Sequence, residues 1–167
     1  MYDELTEVDI RKMQEEINHR VRVLRPQLIE EVQTTRAFGD LSENYEYKCA
    51  KQAKNRNESR IRYLERMIRT AKVIEVTGAE DTVSLFDKVL IYNEMVKKEM
   101  TIQIVTTLRQ DALKGLISKE SPVGQAVMGH KVGDRVQVEV SPAMKYFVEI
   151  RSIEKGEDDE SLDISSY

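Results

Sequence analysis

The sequence predicts an α+β protein: a long antiparallel α-helical coiled-coil hairpin, then an antiparallel β-sheet domain with one short helix. Three observations carry this. Apolar residues recur at helical spacing from residue 8 to 36 and again from 41 to 74. A polar stretch, Gly39-Asp40-Leu41-Ser42-Glu43-Asn44-Tyr45-Glu46-Tyr47, separates the two runs. From Val83 the pattern changes to short runs typical of strands, broken by Gly and Pro.

In the first run, Met13, Ile17, Val21, Leu24, Leu28 and Val32 form one stripe. Thr6 is the expected N-cap and Asp9 lies in the first turn. Pro26 removes a hydrogen bond inside this helix, and a kink is expected there because the stripe keeps its phase across it. In the second run, Ala50, Lys54, Asn57, Ile61, Leu64, Ile68 and Ala71 follow the register of a coiled-coil seam. Lys54 and Asn57 make the half near the turn polar, so the base is expected to pack more firmly than the tip. About 32 residues of helix reach roughly 48 Å, too long to fold over a compact core, so the hairpin is expected to project into solvent.

Beyond Gly78, the runs 89–92 and 100–105 flank a polar turn and read as a β-hairpin. Residues 115–118 form a short strand. Ser121, Pro122 and Gly129 mark the cap, first residue and end of a two-turn helix. Residues 135–140 and 146–150 alternate as half-buried strands. The expected organisation is a hairpin over 1–76, a linker over 77–82, a domain over 83–154 and an acidic, disordered tail over 155–167.

The 167 residues include 34 % charged ones and have a net charge of −4. No run approaches a membrane span, and the first residues lack the regions of a signal peptide. The single Cys49 precludes an internal disulfide, as in a cytoplasmic protein. With one Cys and only His19 and His130, the sequence disfavours a structural zinc site. Charge is uneven: residues 44–72 carry 9 basic against 3 acidic side chains, and residues 76–167 carry 11 against 16. Indiscriminate DNA binding is therefore disfavoured, while a nucleic-acid or acidic-partner contact confined to the hairpin is permitted.

Asp40 and Glu43 admit two readings. If the second helix starts at Leu41, Asp-x-x-Glu is a capping box. Alternatively, two exposed carboxylates at the turn ligate a hard cation such as Mg²⁺. Two carboxylates do not complete such a site, so the metal would be shared with a partner.

The stretch 39–47 resembles the Gly-Asp-Leu-x-Glu-Asn-x-Glu-Tyr motif of the Gre family of bacterial transcript cleavage factors. A second motif agrees: Ile117-Ser118, Ser121-Pro122-Val123-Gly124, Gly129 and Val132-Gly133-Asp134 are similar to the family's C-terminal domain. Pro26, Ala71-Lys72-Val73-Ile74 and the length also fit, and the resemblance covers about residues 5–153. It implies an FKBP-like C-terminal domain docking at the rim of the RNA polymerase secondary channel, with Ser121 and Pro122 as docking residues. It implies a coiled coil that enters the channel. Asp40 and Glu43 would there hold Mg²⁺ jointly with the polymerase, none being bound stably alone, so that backtracked nascent RNA is cut. Arg36 and Lys51 match the family's RNA-contacting basic positions, with Lys48, Lys54 and Arg56 nearby. A solvated helix face explains the same charges without RNA.

The protein is then a monomeric, cytoplasmic accessory factor, not an enzyme. The rivals are a paralogue that plugs the channel and inhibits, a plain coiled-coil scaffold, and a prolyl isomerase. The intact carboxylate pair argues against the first, the tip motif against the second, and the scarcity of aromatic residues against the third. Two features depart from the family pattern: Ser141-Pro142-Ala143-Met144-Lys145 in place of a Gly-rich turn, and the acidic tail.

Overall fold

The computed structural model describes residues 2–39 and 43–166. They form two compact units. One holds Ile10–Ala71; the other joins Asp3–Asp9 to the chain from Lys72 onward.

The first unit is a helical hairpin. Helix α1 (Glu7–His19) leads through a π-helical turn (Arg20–Leu24) into α2 (Arg25–Arg36), and α3 (Tyr45–Thr70) returns. The irregularity expected at Pro26 takes the form of that π turn, in which the Arg25 N–H donates to the Arg20 carbonyl five residues back. A π turn is a recognised way to relieve a helix where proline cannot donate. It also explains the polar seam. Asn57 is buried, its Nδ2 donates to the Arg20 carbonyl (3.3 Å), and its Oδ1 accepts from Arg20 Nη1 (3.0 Å). Asn57→Ala removes both bonds and leaves Arg20 Nη1 without this acceptor, and is expected to cost about 1–3 kcal/mol in urea unfolding; a change near zero would remove this role.

Beside Asn57, buried Arg60 clasps Glu16 at 2.8 and 3.1 Å, and Arg20 Nε adds a bond of 2.7 Å to the same carboxylate. Burial pushes the Glu16 carboxyl up, but the bonds from Arg60 and Arg20 outweigh it and hold the group below its ordinary value. Arg25 pairs with Glu58 through two bonds of 2.7 and 2.9 Å. The apolar packing lies toward the base, with Met13, Ile61, Leu64 and Met67 buried. Helix α2 buries none of its residues fully.

The second helix differs from expectation at both ends. It starts at Tyr45, not Leu41, and stops at Thr70, not residue 74. Lys72–Val73 instead form strand β2, parallel to β1 (Glu4–Leu5), with Leu5 fully buried. The partners lie far apart in sequence, so local periodicity carries no trace of the pairing. Thr6 caps α1 as expected: its Oγ1 accepts from the Asp9 N–H (3.3 Å), and Asp9 Oδ2 accepts from the Thr6 N–H (3.1 Å).

The second unit is built on a curled five-stranded sheet of β3 (Lys88–Asn93), β4 (Lys98–Val105), β5 (Leu116–Ser118), β6 (Arg135–Ser141) and β7 (Met144–Glu154). The order is β5-β4-β3-β7-β6. The sheet is mixed, not antiparallel throughout, because β5 runs parallel to β4. Two short 3₁₀ turns, Thr107–Arg109 and Ala112–Lys114, lie between those strands. The alternating residues of the strands, such as Val89, Ile91, Ile102, Ile104, Val136, Val138, Val148 and Ile150, form one core with Val127 of α4 (Pro122–Val127). No helix among the described residues is long and apolar enough to cross a membrane.

The segment after residue 154, expected to be a disordered tail, forms no helix or strand over residues 155–166 but makes several specific contacts. Lys155 Nζ donates to the carbonyls of Ala79 and Thr82 (both 2.9 Å), to Ser84 Oγ (2.8 Å) and to buried Asp87 (2.5 Å). The Gly156 N–H donates to Asp87 (3.0 Å), and the Ser165 N–H to the Leu108 carbonyl (2.7 Å). Asp158 pairs with Arg109, whose side chain is fully buried. Arg109 Nε also meets buried Asp9 at 2.6 Å, its Nη2 donates to Thr6 (3.2 Å), and its guanidinium lies 4.9 Å from the Phe86 ring centroid. One cation thus neutralises the cap of α1 and the tail together.

Candidate functional site

The turn between α2 and α3 is assembled from helix ends. Helix α2 closes at Arg36, after which Ala37 and Phe38 donate back to the carbonyls of Thr34 and Thr35. Gly39 has φ of +145°, a conformation that side chains disfavour, which accounts for glycine ahead of the acidic stretch. Asp40 lies outside the described residues. Glu43 is exposed and precedes the N-cap of α3.

That N-cap is Asn44. Its Oδ1 accepts from the Tyr47 N–H (3.0 Å), and its Nδ2 donates to the Thr35 carbonyl (2.5 Å). The capping box expected of Asp40 and Glu43 is therefore corrected for Glu43, which stands outside the helix and cannot be its N3 residue. Asparagine, aspartate and serine cap about equally well. Sequence alone could not choose between Asp40 and Asn44, and the Asn44-x-x-Tyr47 spacing was the signal overlooked.

Tyr45 opens α3 and is exposed, while Tyr47 is half-buried. A hydrogen bond with Cys49 raises the Tyr45 phenol above its ordinary value. The basic candidates do not share one face. At ~100° per residue, Lys48, Lys51 and Lys54 step along one flank of α3, and Arg56 falls on the opposite flank. Lys54 is half-buried toward the helix-packing side, whereas Lys48, Lys51, Arg56 and Arg36 are exposed. In the second unit, Ser121 Oγ accepts from the Gly124 N–H (3.0 Å) and donates to the Ser118 carbonyl (2.7 Å). Its hydroxyl serves the start of α4, and Pro122 beside it is exposed.

These features define an α+β protein whose helical hairpin carries an exposed Glu43 just ahead of a helix capped by Asn44. Two family models cover most of the chain: transcription elongation factor, N-terminal, over residues 4–73, and transcription elongation factor GreA/GreB, C-terminal, over residues 78–155. The chain belongs to the GreA/GreB family of transcription elongation factors. Transcription elongation factor GreA of Mesoplasma florum is 39 % identical over 150 residues, spanning 89 % of this chain and 96 % of the relative. The Thermoanaerobacter pseudethanolicus GreA is 42 % identical over 137 residues, or 81 % and 87 % of the two chains. A crystal structure of GreA factor homolog 1 from Thermus thermophilus aligns over 93 % of this chain and all of its own, with 24 % identity and a TM-score of 0.40, a likeness too loose to bear on function.

Proposed function

We propose that this protein binds RNA polymerase, passes its hairpin through the secondary channel as a coiled coil, and stimulates Mg²⁺-dependent cleavage of backtracked nascent RNA. The observation that carries this reading is the exposed Glu43, placed outside the helix it precedes, within a hairpin matched by the family model. Because Asn44 caps α3, the Glu43 oxygens are not engaged as its N3 cap and suit a hard cation. Asp40 supplies the second carboxylate. Two carboxylates fall short of a full Mg²⁺ shell, so the polymerase provides the rest.

Bound Mg²⁺ would lower the pKa of the attacking water and offset charge on the scissile phosphate. The part of this chain is to add carboxylate ligands and to orient that water. It is an accessory factor that completes another enzyme's site, working as a monomer in the cytoplasm. The second unit, read as an FKBP-like domain, docks at the channel rim through Pro122, with Ser121 shaping the loop. An isomerase role is disfavoured by the cleft beside Phe86, which is lined largely by charged residues including Lys88, Glu154 and Asp158.

The test is to add the protein to stalled, backtracked elongation complexes with Mg²⁺. Short 3′ RNA fragments are expected, and none from RNA without polymerase. Cleavage of free RNA would refute the accessory role. Arg36, Lys48, Lys51, Lys54 and Arg56 are assigned to the RNA 3′ segment. Removing the charges of Arg36 and Lys51 together should weaken cleavage and flatten its salt dependence, by a slope of about 0.7 per lost phosphate contact. An unchanged slope would return both residues to a solvated helix face.

A further inference from the structure

We infer that Asn44 is the positioning residue of this turn, holding its neighbour Glu43 in the geometry that cleavage needs. The inference rests on the reading of the turn given above. The last carbonyls of one helix and the first N–H groups of the next have no partner within their own helices. Asn44 serves one group of each kind with a single side chain, the Thr35 carbonyl also accepting from the Phe38 N–H just beyond α2. Its Oδ1 accepts from Tyr47 at the start of α3, and its Nδ2 donates to the Thr35 carbonyl in the last turn of α2. Only a primary amide on a short stem offers an acceptor and a donor in one plane.

The residue that joins the two helices at their open end is the immediate neighbour of Glu43. Helix α2 buries no residue fully, and within α3 the buried residue closest to the turn is Ala50. The described ion pairs that cross the hairpin, Arg60 with Glu16 and Arg25 with Glu58, lie more than two turns of α3 farther back. The Asn44 side chain links the two helix ends directly, and so bears on where they meet. A displacement of about 1 Å at a reacting centre can cost up to about 100-fold in rate.

Two variants separate capping from positioning. Asn44→Ser keeps a good cap acceptor but is too short to reach the Thr35 carbonyl. Asn44→Asp keeps the cap and places an acceptor where the donor stood. In the backtracked-complex assay, both are expected to retain polymerase affinity within about twofold and the helicity of the wild type. The maximal cleavage rate at saturating factor should fall about 10- to 100-fold, and half-saturation should need more Mg²⁺. Asn44→Ala, which loses both bonds, should lose at least as much rate and also some helicity. If Asn44 is only a cap, Ser and Asp will cleave at the wild-type rate with the wild-type Mg²⁺ dependence, and the inference falls. Glu43→Gln in the same assay keeps the two questions apart. If it cleaves like the wild type, the reading of the acidic turn fails; if it does not, the Asn44 variants are decisive.

Discussion

Asp40→Asn or Glu43→Gln is expected to reduce cleavage of backtracked RNA about 100- to 1,000-fold at saturating factor, the cost of removing one preorganised electrostatic contact in an enzyme site. Each substitution keeps size and shape and removes only the charge, so the loss reports on cation binding and water orientation. Glu43 lies ahead of the N-cap and outside α3, so its replacement should leave hairpin stability within about 0.5 kcal/mol, as for surface substitutions away from structural features. Polymerase affinity should be unchanged, and each variant should compete with the wild type for its binding site. Raised Mg²⁺ should recover part of the lost rate, because a weakened site fills at higher concentration. Wild-type cleavage by both variants would show that the acidic turn does not ligate the metal.

Arg109→Met is expected to cost about 3–5 kcal/mol of stability, the penalty for leaving a buried charge without its partner. Asp9 and Arg109 are both fully buried and meet at 2.6 Å, and Asp158 approaches the same guanidinium at 2.6 Å. Methionine fills much of the volume but leaves Asp9 uncompensated and withdraws the donors to Thr6 and the Asp159 carbonyl. Arg109→Lys should fall between, since one ammonium cannot serve these acceptors in the planar geometry of a guanidinium. Urea unfolding followed by near-ultraviolet dichroism of the second unit would measure the loss. A cost below about 1 kcal/mol would mean that the carboxylates stay solvated or protonate at little expense. Cutting the chain after Glu154 removes Asp158 and Lys155 together, and should lower stability while sparing Asp9 and its pairing.

Much of the candidate site was legible because it sits in one contiguous stretch. The motif from Gly39 to Tyr47 placed two carboxylates between two apolar periodicities, and helical spacing marked the hairpin without any knowledge of packing. The cap was less legible. Asp40 and Asn44 have similar intrinsic preference, and only the Thr35 carbonyl, on the other helix, distinguishes Asn44. The basic residues looked like a stripe in the linear count, yet the turn of the helix sends Arg56 to the flank opposite Lys51.

Local chemistry was sufficient for the α+β class, the two helical runs, the β-hairpin and the Ser121 cap. Each rests on periodicity or on residues within a few positions of one another. Contacts distant in the chain settled the rest: the parallel pairing of Glu4–Leu5 with Lys72–Val73, the parallel β5, the π turn accommodated by Asn57, and the contacts of the C-terminal segment with Arg109 and, through Lys155, with Ser84. In each case a buried polar group or unpaired backbone had to find a partner, and the partner lay many residues away. Composition registers the charge of a segment, but not the buried guanidinium or carboxylate that meets it.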